Sequence, residues 1–213
     1  MTRAVLLDLD GTLVDSADYH WRAWRDTLAA EGSSITYEQF LDSFEQKNDR
    51  ILRRWIGAGI PRDRIHRIGE AKEAEYRRLA ETEGLFVLPG AADWLATLQA
   101  AGWKQAIASS APRANVGVML RVAQLDRYFS AMVGAEDVTT GKPDPEVFLT
   151  AAVRLGIEPA RCVVVEDAAA GVEAARRAGM KCIGVSPSGT LAADISVTSL
   201  VDLEADAFES LFA

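Results

Sequence analysis

The sequence has few cysteines and histidines, two of each among its 213 residues. Cys162 and Cys182 each lie in an apolar, strand-like run, so we interpret them as buried free thiols and not as a disulfide framework. Free thiols are typical of a reducing compartment, and the N-terminal residues lack the pattern of a secretory signal peptide. These features predict a cytoplasmic protein.

Long hydrophobic runs and a basic charge balance are also missing. No apolar stretch approaches the ~20 residues that span a bilayer, so we expect no membrane partner. The 31 acidic residues outnumber the 23 basic ones and give a net charge of −8, which argues against a nucleic-acid partner. With 49% hydrophobic residues, the sequence predicts one large globular domain or one domain with an insertion.

Five short apolar runs alternate with helix-like segments along the chain. The runs cover residues 4–7, 105–108, 131–134, 162–165 and 181–185. The intervening helix-like segments begin near Pro89, Asp144 and Ala168, and each of them ends at a glycine. Short strands that alternate with helices predict an α/β fold, with a central parallel sheet covered by helices on both faces.

Residues 16–87 interrupt this alternation. They contain no convincing strand, and they include a capping-box pattern at residues 36–39 and a long polar helix from Pro61 to about Glu83. The sequence therefore predicts an α/β core at residues 1–15 and 88–213, with an all-helical segment inserted at residues 16–87.

Charge is unevenly distributed along the chain. Residues 47–78 contain ten basic and five acidic side chains, a local balance of +5. One interpretation is a solvated helix surface stabilised by ion pairs one turn apart. The other is a positively charged lid over an anionic substrate, which requires a phosphate site elsewhere in the chain.

Polar side chains follow the ends of four apolar runs. Because ligands of parallel α/β sheets bind beyond the carboxyl ends of the strands, we expect these side chains to meet in one crevice. In chain order they are Asp8 and Asp10, Ser109 and Ser110, Lys142, and Glu166 and Asp167. Each motif alone is common in turns or at helix N-termini, but their joint placement indicates a functional site.

The carboxylates of this site need a cation, since like charges in one cleft repel each other. Mg²⁺ prefers oxygen ligands and suits a site that also holds phosphate. Asp8 is then a candidate nucleophile, and Asp10 is a candidate general acid and base. Lys142 and Ser109 are candidates for binding phosphoryl oxygens.

The same motifs resemble the four signatures of the haloacid dehalogenase superfamily. They are residues 8–16, Ser109, Lys142 in Gly-Lys-Pro-Asp-Pro, and Glu166-Asp167. The resemblance covers essentially the whole chain and implies a Rossmann-like core, with Mg²⁺ held by Asp8, the Asp10 carbonyl and Asp167. Glu166 assists in that role. Because Asp10 and the acidic fourth signature are present, the resemblance implies phosphoryl transfer and not cleavage of a carbon–halogen bond.

The helical insertion is similar to the cap of the β-phosphoglucomutase-like branch. The substrate-binding residues that this resemblance suggests are His20, Trp24, Lys47, Lys72, Ser110 and Arg113. For His20 the alternative is an ordinary surface position, and for Trp24 it is a place in a helical core.

Two positions depart from the mutase pattern. Lys47 stands nearest the place of a cap arginine that grips the distal phosphate, and lysine lacks the bidentate grip of arginine. Ala111 and Pro112 stand where the mutases have a Ser-Lys pair, although Arg113 follows them. Both changes resemble the general sugar-phosphate phosphatases of the branch.

The sequence therefore predicts a Mg²⁺-dependent phosphatase of small phosphorylated metabolites, acting through an aspartyl-phosphate on Asp8. A sugar phosphate or a phosphoglycolate-like ester is the expected substrate. The alternative is a β-phosphoglucomutase, which shares the first half-reaction. A non-catalytic metabolite-binding protein is a third hypothesis, and the intact Asp8, Asp10 and Lys142 argue against it. We expect a monomer or a weak dimer.

Overall fold

The computed structural model describes residues 2–43, 46, 48–187 and 190–213. Its strands are β1 Ala4–Leu7, β2 Val14–Asp15, β3 Phe86–Val87, β4 Lys104–Ala108, β5 Ala131–Val133, β6 Cys162–Glu166, β7 Lys181–Val185 and β8 Ile195–Val197. Its helices are α1 Ala17–Ala30, α2 Tyr37–Leu41, α3 Asn48–Trp55, α4 Arg62–Glu83, α5 Ala91–Ala100, α6 Arg113–Val122, α7 Glu146–Leu155, α8 Ala169–Arg177 and α9 Ala207–Ser210. Within the described ranges, no helix is both long enough and apolar enough to cross a bilayer.

Six strands form one parallel sheet in the order β5-β4-β1-β6-β7-β8. The two central strands, β1 and β6, are buried along their whole length. Continuous burial of this kind requires cover on both faces of the sheet. The parallel sheet with flanking helices confirms the predicted fold class.

Side chains of the central strands alternate between the two faces of the sheet. On one face, Leu6 and Val164 pack in a buried cluster that includes Phe148 of α7. On the other face, the buried Gln105 of β4 donates from Nε2 to the carbonyl of Leu95 in α5, at 2.8 Å. The helices therefore cover both faces, and the crevice is left at the carboxyl ends of the strands.

Three strands were absent from the sequence prediction. β8 adds a sixth strand at the edge of the sheet, where its three residues are only half buried. β2 and β3 form a separate antiparallel ribbon of two residues each. β3 lies within residues 16–87, so it corrects the expectation of no strand in that segment. Segments this short show no measurable periodicity, and their pairing is determined by contacts that are distant in sequence.

The chain divides into two compact units. The first, which we call the α/β unit, comprises Met1–Asp15 and Leu85–Ala213. The second, which we call the helical unit, comprises Ser16–Gly84 and contains α1 to α4. The inserted helices were expected from the sequence pattern of this segment.

The helical unit has its own buried core. Trp24 and Leu28 of α1 pack with Phe40, Leu52 and Ile68 from the other three helices. The spacing of the two α1 residues places both on one face of that helix. Trp24 is 2% exposed, so its packing fits the core interpretation of the sequence pattern.

The predicted helix boundaries of this unit agree with the structure. Thr36 accepts a hydrogen bond from the Gln39 amide, and the Gln39 side chain accepts one from the Thr36 amide, which confirms the capping box. The long polar helix begins after Pro61 and ends before Gly84, whose φ of +84° favours glycine. Gly84 thus stops α4 at the end of the helical unit.

Candidate functional site

The α/β unit brings four predicted site residues together. Asp8 directly follows β1, and its amide donates to the carbonyl of Val165 in β6 at 3.0 Å. Glu166 is the last residue of β6, and Asp167 comes next in the chain. Parallel pairing of β1 and β6 therefore places the three carboxylates at one edge of the sheet.

Lys142 lies in the loop before α7 and contacts two of these carboxylates. Its Nζ donates to Oδ1 of Asp8 at 2.5 Å and to Oε1 of Glu166 at 2.9 Å. All three side chains are largely removed from solvent, with exposed fractions of 9%, 11% and 2% for Lys142, Asp8 and Glu166. The Nζ also lies 5.1 Å from the ring centroid of Phe148, which adds a cation–π contact.

Burial and charge act in opposite directions on these groups. Burial raises the pKa of Asp8, and the Lys142 ammonium partly offsets that rise. Burial also raises the pKa of Glu166 well above its usual range, again opposed by Lys142. Burial lowers the pKa of Lys142, but the two carboxylates outweigh this effect and leave that pKa raised. Lys142 therefore stays cationic and offsets the repulsion between the buried carboxylates.

The arrangement fits a divalent metal ion. Asp8, Glu166 and Asp167 each offer a carboxylate oxygen, and these atoms all lie within 4.8 Å of one another. An all-oxygen donor set of this kind suits a hard cation such as Mg²⁺. The Asp10 side chain is outside this group, and the ligand role expected for the Asp10 carbonyl stays a prediction.

Two glycines make room for the acidic side chains. A Cβ on Gly11, whose φ is +76°, would lie 2.1 Å from Oδ2 of Asp167. A Cβ on Gly171 would lie 1.5 Å from Oε1 of Glu166 and 2.2 Å from its Cγ. The carboxylates therefore rest directly against the backbone, where only glycine leaves space. Sequence analysis did not select Gly171 for this role.

Ser109 and Ser110 differ in their surroundings. Ser109 follows β4, is buried, and accepts a hydrogen bond at Oγ from the Ala111 amide at 3.0 Å. Ser110 is exposed. A buried hydroxyl fixed by the local turn is the better placed of the two to act as an oriented donor.

Arg113 is tied to the loop after β5. Its guanidinium pairs with Asp137 at 3.2 Å, and its amide donates to Glu136 at 2.9 Å. Asp137 also pairs with Arg154, and these contacts hold the pKa of the Asp137 carboxyl well below its usual range. Phosphate binding by Arg113 stays a prediction, and in this conformation its charge is shared with Asp137.

Three predicted substrate-binding residues lie in the helical unit. His20 and Lys72 contact each other, with 2.8 Å between Nδ1 and Nζ, and Trp24 lies beside them with its ring centroid 5.4 Å from Nζ. Lys47 lies outside the described residues. The structure adds Glu73, which sequence analysis did not select, although it adjoins Lys72 in the chain.

Comparisons with known proteins agree with these motifs. A family model described as haloacid dehalogenase-like hydrolase matches residues 2–179. The chain is 34% identical over 215 residues to the beta-phosphoglucomutase of Bacillus subtilis strain 168, covering 94% of this chain and 91% of that protein. It is 36% identical over 184 residues to hexitol phosphatase A of Escherichia coli K12, covering 86% and 83%. CbbY from Rhodobacter sphaeroides, solved in complex with phosphate, matches with a TM-score of 0.89 and 26% identity over 98% and 100% of the two chains.

Proposed function

Because the chain belongs to the haloacid dehalogenase-like hydrolase family, we propose that it is a Mg²⁺-dependent phosphatase of small phosphorylated metabolites. Sugar phosphates and phosphoglycolate-like esters are the proposed substrates. The α/β unit carries the chemistry, and the helical unit acts as a cap. The observation that carries the proposal is the buried contact of the Lys142 ammonium with both Asp8 and Glu166, next to Asp167.

Asp8 is the proposed nucleophile. An oxygen of its carboxylate attacks phosphorus, the bond from phosphorus to the ester oxygen breaks, and Asp10 donates a proton to the departing alkoxide. Asp10 then removes a proton from water, and the resulting hydroxide attacks the aspartyl-phosphate. The bond between phosphorus and the Asp8 oxygen breaks, which releases inorganic phosphate and restores the carboxylate.

The surrounding residues orient the phosphoryl group and balance its charge. Lys142 holds one carboxylate oxygen of Asp8 in place and carries the positive charge that a transferring phosphoryl group requires. Asp8, Asp167 and the Asp10 carbonyl would hold the metal ion with help from Glu166, and the bound ion would supply further charge neutralisation at the phosphoryl oxygens. Ser109 would donate a hydrogen bond to one of those oxygens.

The proposed compartment is the cytoplasm. The two cysteines are free and buried. Burial raises the pKa of Cys162 to about 11 and that of Cys182 to about 12, so both thiols stay protonated and unreactive at neutral pH. This environment supports the interpretation of structural thiols in a reducing compartment. A monomer or weak dimer remains our expectation for the oligomeric state.

A β-phosphoglucomutase is the second candidate, favoured by the 34% identity to the Bacillus subtilis enzyme. A mutase must grip the phosphate that is not reacting and keep water from the aspartyl-phosphate. Here Ala111 and Pro112 supply no such grip in the core. Water should therefore be the usual acceptor of the phosphoryl group.

Net hydrolysis is the outcome we expect when the two reactions compete. The protein is incubated with Mg²⁺, β-glucose 1-phosphate and a catalytic amount of β-glucose 1,6-bisphosphate, and glucose 6-phosphate and free phosphate are followed together. We expect phosphate to accumulate at least about tenfold faster than glucose 6-phosphate. Stoichiometric glucose 6-phosphate with negligible phosphate would reject the phosphatase and establish the mutase. A parallel reaction with excess chelator is the control, and full activity there would reject the metal dependence.

Substitution of Gly171 by alanine should lower kcat/KM by about 10–100-fold. The new Cβ would displace the Glu166 side chain, whose carboxylate accepts a hydrogen bond from Lys142. A misplacement of about 1 Å near the reacting groups has an effect of this size. Gly117→Ala is the matched control, because Gly117 lies within α6 and the added Cβ would have no contact within 4 Å beyond its chain neighbours and the backbone of its own helix. It should leave activity unchanged and stabilise the helix by up to about 1 kcal/mol. Equal activity of the two variants, measured with an aryl phosphate, would contradict the role of Gly171.

A further inference from the structure

Two neighbouring loops at the carboxyl edge of the sheet are joined by backbone hydrogen bonds. Ser109 begins the loop from β4 to α6, and Gly134 begins the loop after β5. The Ser109 amide donates to the carbonyl of Val133 at 3.1 Å, and the Ala135 amide donates to the carbonyl of Ala111 at 2.9 Å. The loop that carries Ser109 is therefore held from one side by the loop after β5.

The same two loops are in direct contact at Gly134. A Cβ added to this glycine would lie 2.6 Å from Cγ of Arg113 and 3.0 Å from the carbonyl oxygen of Ala111. Distances this short leave no room for a side chain between the loops. A shift of one loop should therefore displace the other.

Asp137 connects the loop after β5 to two helices. Its side chain is 7% exposed, and its Oδ2 accepts a hydrogen bond from the Gly134 amide at 2.9 Å. Its Oδ1 lies 3.2 Å from Nη1 of Arg113, the first residue of α6, and 2.6 Å from Nη2 of Arg154 in α7. Arg154 also donates to the carbonyl of Met132 in β5. Asp137 therefore joins the start of α6 to β5 and to α7.

The negative charge of Asp137 is what keeps the two arginines together. Both guanidinium groups donate to the same carboxylate oxygen, and hydrogen bonds between charged partners are the stronger ones. The neighbouring Glu136 is exposed and accepts a hydrogen bond from the Arg113 amide at 2.9 Å. Without the charge on Asp137, the guanidinium groups of Arg113 and Arg154 would repel each other across a neutral side chain.

The orientation of the Ser109 hydroxyl depends on this clamped loop. Ser109 is 2% exposed, and its Oγ accepts a hydrogen bond from the Ala111 amide at 3.0 Å. Accepting that bond uses a lone pair and leaves the hydroxyl hydrogen to be donated. Because Ala111 lies in the loop that Asp137 ties down through Arg113, a shift of that loop would turn the hydroxyl.

We propose that Asp137 is a positioning residue for phosphoryl transfer, which holds the loop of Ser109 so that the hydroxyl donates to a phosphoryl oxygen. This inference rests on the proposed function, in which Ser109 makes that hydrogen bond. Lys142 is fixed separately by its contacts with Asp8 and Glu166. The effect of Asp137 on the reaction should therefore pass through Ser109.

A double-mutant cycle with an aryl phosphate tests this route. Asp137→Asn keeps the size of the side chain and an oxygen for the Gly134 amide but removes the charge. It should lower kcat by about tenfold or more and leave KM within about threefold, since it displaces a group at the transferring phosphoryl. Ser109→Ala should lower kcat by about 100-fold. The double variant should stay within about threefold of Ser109→Ala, because no hydroxyl is left to position.

Asp194→Asn is the matched control. Asp194 also pairs with a basic side chain, that of Lys181 at 3.2 Å, and accepts a backbone amide, that of Cys182 at 2.8 Å, but it lies at the amino ends of the strands. This variant should keep full activity, and an Asp137→Asn protein that is equally active would overturn the inference. A partly unfolded protein would lose activity by the same factor with and without Ser109. Losses that multiply to about 1,000-fold in the double variant would therefore also overturn it.

Two further arms keep the test decisive. If Asp137→Asn fails to fold, Arg113→Gln breaks the same contact from a side chain that is 55% exposed and enters the same cycle with Ser109→Ala. If the wild type hydrolyses no phosphate ester, the proposed function fails, and calorimetric binding of inorganic phosphate with Mg²⁺ replaces kinetics. Weaker binding by Asp137→Asn in the presence of Ser109 alone would then support the inference. No binding by the wild type, or equal binding by the wild type and Asp137→Asn, would overturn it.

Discussion

Replacing Asp8 by asparagine should lower turnover by at least about 10³-fold and leave the fold intact. Asparagine has the shape of aspartate and keeps an oxygen that can accept the hydrogen bond from Lys142, so the buried contact survives. An amide oxygen is a poor nucleophile, however, and the covalent intermediate can no longer form. The loss should therefore appear in kcat, while the circular dichroism spectrum stays that of the wild type.

The Asp8 substitution is accompanied by a control variant and by a direct test for the covalent intermediate. Asp93→Asn, an exposed aspartate in the first turn of α5, is the matched control and should retain full activity. Rapid quenching of the wild type with substrate, followed by mass spectrometry, should show one added phosphoryl group on the peptide that contains Asp8, and the Asp8→Asn variant should show none. Phosphate release by the variant at a rate near that of the wild type would mean that another group is the nucleophile.

The edge of the sheet that carries the site could be predicted because each signal is local. A short apolar run followed at once by a polar residue indicates a buried strand and its carboxyl end. In a parallel sheet these carboxyl ends lie at one edge. Asp8 and Glu166 were predicted in this way, and the structure places both beside Lys142. The role of Gly171 was missed because a glycine near the start of a helix has many explanations, and only coordinates show the carboxylate against it.

The charge pattern of the helical unit could not be predicted from a linear window. Glu31 precedes the basic segment by many residues, yet it pairs with both Arg64 and Arg67 across the helical packing. The contact between Lys72 and Glu73 is also unexpected from sequence, since adjacent residues on a helix do not face each other. Both side chains are buried, with exposed fractions of 4% and 7%, and an unpaired charge in such a place would be costly.

Replacing Lys142 by methionine should lower both the stability of the fold and the catalytic activity. Methionine keeps much of the length of the side chain and its packing on Phe148, but it removes the only cation that the described structure places between Asp8 and Glu166. Breaking a buried pair in this way leaves uncompensated charge, at about 3–5 kcal/mol of unfolding free energy. Loss of a preorganised cation at the phosphoryl group should lower kcat/KM by a further factor of about 10²–10³.

Two comparisons separate the electrostatic role of Lys142 from general instability. Unfolding by urea is measured with excess chelator, so that no divalent ion shares the carboxylates of Asp8 and Glu166. Lys181→Met is the matched control, since Lys181 forms an exposed pair with Asp194 at 3.2 Å, and its loss should change stability by at most about 1 kcal/mol. A Lys142→Met protein as stable and as active as the Lys181→Met protein would show that the buried ammonium neither supports the fold nor takes part in phosphoryl transfer.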